Sequence, residues 1–81
     1  MELGASLTAY LEEQFRNQGD DVALAPDDDL VELGLDSIAY VRLVNHIKKT
    51  YGIQVPDSDL TLDQFGTIGS ITVYLTAKGA G

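Results

Sequence analysis

The 81-residue chain has no cysteine, only one histidine and only five basic residues. Without cysteine there can be no disulfide, thiolate metal site or thiol nucleophile, and a reducing compartment is fully compatible with the chain. Five basic residues against thirteen acidic ones leave a net charge of -8. That charge repels phosphate backbones and anionic lipid surfaces, which excludes nucleic acid as a partner. Its natural partners are proteins with basic patches, unless it serves solubility alone. Long apolar runs are also missing. Leu3 to Phe15 is repeatedly interrupted by polar residues, and Met1 opens no basic-then-apolar leader. No stretch approaches the roughly 20 apolar residues of a membrane span. The expectation is a soluble, monomeric, cytoplasmic protein with a single domain over residues 1–81, too short for two.

What is present is helical periodicity. Leu3, Leu7, Leu11 and Phe15 recur one turn apart, predicting a first helix from about Leu3 to Gln18 that stops at Gly19. A long connection follows to about Leu35, with Pro26 and the run Asp27-Asp28-Asp29. Val22, Leu24, Leu30, Val31, Leu33 and Leu35 punctuate it, so it should pack onto the helices. Loops of this length in small domains tend to be functional. The acid run reads as a solvated turn, because a calcium loop from Asp27 would need glycine where Glu32 stands and glutamate where Ile38 stands.

The clearest helix runs from Ser37 to about Tyr51, with Asp36 as its N-cap and Gly52 as its stop. Tyr40, Leu43, Val44, Ile47 and Tyr51 share one face and should be core. Ile38, Val41, Arg42, Asn45, Lys48 and Lys49 share the other, so Ile38 and Val41 are apolar residues where solvent is expected. Pro56 to Asp59 makes a turn, Leu60 to Phe65 a short helix, and Thr67 caps a last one carrying Ile68, Ile71, Tyr74 and Leu75. The tail Lys78 to Gly81 should fray. The fold class is all-α: a small four-helix bundle, three main helices plus a short third, with a long first loop.

Catalysis finds little support. His46 lies nine residues after Ser37 on the same helix, roughly 13 Å along and half a revolution round, so the two cannot form a nucleophile–base pair. His46 reads as a surface residue. The carboxylates lack metal-ligand spacing, no glycine-rich phosphate loop follows a strand, and no concave site for paired carboxylates is evident. No catalytic residue and no metal ligand is assigned.

One local arrangement remains: Leu33-Gly34-Leu35-Asp36-Ser37-Ile38, where the long loop enters the central helix. It offers a hydroxyl at a helix N-terminus, where free N–H groups and the helix dipole favour a negatively charged substituent. Gly34-Leu35-Asp36-Ser37, followed by Ile38 and an amphipathic helix, resembles the signature of the acyl and peptidyl carrier proteins. The likeness extends over nearly the whole chain, through the order of helices and the long first loop. It implies that Ser37 bears a 4'-phosphopantetheine arm taken from coenzyme A. It implies that Asp36 assists recognition by a phosphopantetheinyl transferase, and that Ile38 and Val41, with Arg42 and Asn45, meet partner enzymes. Acyl or aminoacyl cargo would ride as a thioester on the arm's thiol. Further partners would be loading and tailoring enzymes of adenylation, acyltransferase, synthase or thioesterase type. The other reading is an unmodified helical interaction module docking through Ile38 and Val41.

The chain departs from the fatty-acid carriers it resembles, whose corresponding helix is acidic. From Ile38 to Tyr51 its charged residues are Arg42, Lys48 and Lys49, with no acid among them. The likeness is therefore to discrete carriers of specialised metabolism, of polyketide or nonribosomal peptide type. Met1 just ahead of the first helix is consistent with a free-standing protein.

Overall fold

A computed structural model describes residues 3–80. Four α-helices follow in order: α1 (Leu3–Asn17), α2 (Ser37–Tyr51), the four-residue α3 (Leu62–Phe65) and α4 (Ile68–Ala77). No strand occurs among the described residues, as the helical periodicity predicts. A 3-10 turn over Asp57–Asp59 supplies the expected turn after Pro56. The short helix begins two residues later than expected, at Leu62, because the Thr61 hydroxyl caps it by accepting from Gln64 N–H. In the first helix, Gln18 falls outside the helix proper, in the turn closed by Gly19.

Leu7, Leu11 and Phe15 of α1, Leu43 and Ile47 of α2, and Ile71 and Leu75 of α4 are fully buried and form one core. Phe65 joins it from α3, and Leu30 and Leu35 from the long loop. Side chains at i, i+3, i+4 and i+7 lie on one stripe of a helix, so removing these stripes from water is the main driving force for the fold. The expected core face of α2 is only partly right. Tyr40, Val44 and Tyr51 are half-buried at its edge, and Ala39, overlooked for its size, is buried in their place.

The loop between α1 and α2 is tied down at several points. Leu24 N–H donates to Glu12 of α1 at 2.8 Å, Pro26 carbonyl accepts from Gly69 N–H at 2.9 Å, and Leu30 N–H donates to Gly66 carbonyl at 2.9 Å. Packing is selective, however. Val31 and Leu33, expected on the bundle, are 48% and 39% exposed, since the turn they occupy points them outward. The acid run is more than a solvated turn. Asp28 accepts from Ala25 N–H, and Asp29 from Val31 and Glu32 N–H, so two of its carboxylates shape the backbone.

The C-terminal segment corrects another expectation. Ala80 N–H donates to Leu75 carbonyl at 3.0 Å and Gly79 N–H to Thr76 carbonyl at 3.1 Å, with Gly79 at φ +103°. This is a Schellman closure of α4. Ala80 packs on the core, so residues 78–80 are ordered, while Gly81 lies outside the described residues.

Candidate functional site

Three things position the start of α2. The turn over Leu30 to Leu35 closes with Leu35 N–H on Leu30 carbonyl and Gly34 N–H on Val31 carbonyl. Gly34 sits at φ +102°, a left-handed conformation that a side chain would strain. Gln18, at the end of α1, then bridges the junction: its Nε2 donates to Gly34 carbonyl at 2.9 Å and its Oε1 accepts Asp36 N–H at 3.3 Å. Asp36, extended at φ -85° and ψ 170°, caps the helix by accepting Ala39 N–H at 2.8 Å.

Ser37 is thereby the first residue of α2, exposed, and its hydroxyl bonds to no described residue. It stands at the lip of an apolar cleft of about 270 Å³ between α2 and α3. Val31, Tyr40, Leu60, Thr61, Leu62 and Phe65 form the walls. The Tyr40 hydroxyl donates to Phe65 carbonyl at 2.8 Å, tying the two walls together. Burial, helped by the nearby Asp29 charge, pushes the Tyr40 phenol up to about 12, so this donor keeps its proton well into the alkaline range. Leu62 remains 68% exposed at the rim.

The remaining predicted site residues lie on the outward face of α2. Ile38 and Val41 are 64% and 60% exposed, and Arg42 and Asn45 are exposed beside them. His46 differs from expectation: it is half-buried, stacked on Tyr10 with ring centroids 4.0 Å apart, and burial lowers its pKa. It lies on another side of α2 from Ser37, as the helical spacing requires. No cluster of potential metal ligands occurs among the described residues. Sequence reasoning missed the cleft. Its far wall comes from a four-residue helix, too short for periodicity to reveal a face.

An exposed hydroxyl at a helix N-terminus, with open space next to it, fits a bulky phosphodiester substituent. Comparison with known proteins agrees: the family model described as "Phosphopantetheine attachment site" matches residues 5–75. The chain belongs to the phosphopantetheine-binding carrier proteins. Such carriers are not enzymes; they hold 4'-phosphopantetheine covalently, and the thiol of that group supplies thioester chemistry.

This carrier is 46% identical over 47 residues to the anthracycline acyl carrier protein DauA of Streptomyces sp. (strain C5), a stretch covering 58% of the chain and 54% of that relative. It is 52% identical over 29 residues to the anthracycline acyl carrier protein DpsG of Streptomyces peucetius, covering 36% of the chain and 34% of that relative. An acyl carrier protein of Onion yellows phytoplasma (strain OY-M) is 42% identical over 45 residues, with 56% and 57% covered. The matches thus span about half or less of each curated relative's length. A solved chain described as "Crystal structure of FAD-dependent dehydrogenase" superposes with a TM-score of 0.72 at 22% identity, over 85% of this carrier and 97% of that chain. At that identity the likeness concerns the fold alone. No helix among the described residues is long and apolar enough to cross a membrane.

Proposed function

We propose that Ser37 is the attachment point of the arm, and that residues 1–81 work as one carrier unit for acyl intermediates of a polyketide-type pathway. The carrying observation is the exposed Ser37 at the start of α2, beside an apolar cleft. Asp36 fixes the first turn and serves recognition by a phosphopantetheinyl transferase, and Ile38, Val41, Arg42 and Asn45 form the surface offered to loading and tailoring enzymes. The mostly apolar lining of the cleft supports acyl over aminoacyl cargo, because a charged ammonium there would lose hydration with no carboxylate among the lining residues to offset it. The names of the anthracycline relatives support the polyketide assignment. We place the protein in the cytoplasm. The family match favours this reading over an unmodified docking module.

Incubation with coenzyme A and a promiscuous phosphopantetheinyl transferase is expected to add one arm, read by intact mass. Ser37→Ala is expected to stay unmodified; labelling of that variant would move the site elsewhere. Mass spectrometry of the protein from its native host reads the cargo, and an aminoacyl thioester there would overturn the acyl assignment.

A further inference from the structure

The carrier's charge is not spread evenly. Against a net charge of -8, α2 holds three of the five basic residues and no acid between Ile38 and Tyr51. Arg42, Lys48 and Lys49 are all exposed, and none of them pairs with a carboxylate among the described residues. With Ile38, Val41 and Asn45 they fall within an arc of roughly 120° at about 100° per residue. The half-buried His46 and Tyr10 border that arc beside Arg42 and Lys49. Most of the acids lie elsewhere, as in the loop at Asp27, Asp28, Asp29 and Glu32 and near α3 at Asp57, Asp59 and Asp63. Asp36 borders the face at its N-terminal end, in one depression with Ile38 and Arg42, and Glu13 of α1 acts on Tyr10 at its edge.

Two exposed aliphatic side chains followed along the helix by unpaired cations are a small apolar patch with a positive flank on its C-terminal side. Interfaces of this kind gain affinity from the desolvated apolar contacts and gain specificity and association rate from the charges beside them. A basic partner would place like charges opposite Arg42 and Lys49, which costs affinity. We infer that this face of α2 docks a protein surface with aliphatic side chains opposite Ile38 and Val41 and carboxylates opposite Arg42, Lys48 and Lys49, the reverse of what the chain's overall acidity suggests. The inference deepens the carrier reading by naming the chemistry of a partner, but its test does not depend on the arm.

The probes are two helical peptides with the same leucine stripe, one flanked by glutamates and one by lysines. Each is titrated into the unmodified full chain and followed by backbone amide NMR. The glutamate peptide is expected to shift Ile38, Val41, Arg42, Asn45 and Lys49, and to weaken several-fold as salt is raised enough to shorten the Debye length. The Arg42→Glu/Lys49→Glu variant is expected to lose about ten-fold or more in affinity for it and to prefer the lysine peptide. Both residues are exposed, so the variant keeps the fold, which its amide spectrum verifies. Equal or tighter binding of the lysine peptide to the parent chain overturns the inference. So do shifts confined to residues 27–32, or no shift with either peptide. Failure of Ser37 to accept an arm would leave the titration result standing.

Discussion

Gln18 and Asp36 are joined across 18 residues of chain by one hydrogen bond, the Gln18 Oε1 accepting Asp36 N–H at 3.3 Å. The other end of the same amide donates to Gly34 carbonyl, so one exposed side chain spans the peptide units on both sides of Leu35. It ties the end of α1 to the residue that caps α2. The direction in which Ser37 leaves the helix therefore depends on a residue remote in sequence.

Replacement of this residue separates positioning from stability. Gln18→Ala removes two exposed hydrogen bonds, each worth about 0.5–1.5 kcal/mol net, so the bundle remains folded. The Asp36 amide is expected to exchange with solvent faster, and arm transfer to Ser37 to slow. Hydrogen exchange by NMR and a transferase time course read the two effects. Unchanged exchange at Asp36 would remove the clamp from the account.

Leu43 and Val41 stand two residues apart on opposite faces of α2, one fully buried and the other largely exposed. Leu43→Ala is expected to cost about 2–5 kcal/mol, from lost apolar contact and the cavity left behind. In a domain of this size that is a large share of total stability. Val41→Ala should change urea stability by about 0.5 kcal/mol or less while weakening partner transfer. Urea denaturation of both variants tests the assignment of the faces.

Alkaline pH should reveal the two shifted phenols. Burial, with the hydrogen bond to Asp59, pushes Tyr74 up to about 12, and Tyr40 lies at about the same value. Their unfolded values lie near 10, so between the two the unfolded chain binds fewer protons and stability falls as pH rises. Melting temperature is expected to hold up to about pH 10 and to drop from there towards pH 12. Tyr74→Phe and Tyr40→Phe should each flatten part of that decline, and ultraviolet absorbance of the phenolates gives an independent titration. A melting temperature unchanged to pH 12 would contradict both shifts.

Local chemistry determined much of this protein from the sequence alone. Asp36 before Ser37, Thr67 before Ile68 and glycine at Gly19 and Gly52 mark helix ends because caps and stops act within one turn. The helical spacing of Leu7, Leu11 and Phe15 marks a core stripe for the same reason. The exposed hydroxyl at the head of α2, and the absence of acids from Ile38 to Tyr51, were legible in the same way. Tertiary structure alone decided the rest. The cleft exists because Tyr40 meets Phe65 across 25 residues, the Gln18 clamp because α1 ends beside Gly34 and Asp36, and the half-buried His46 because Tyr10 stacks on it. Each is a contact between elements, and a periodic pattern says which way a helix faces without saying which neighbour it will meet.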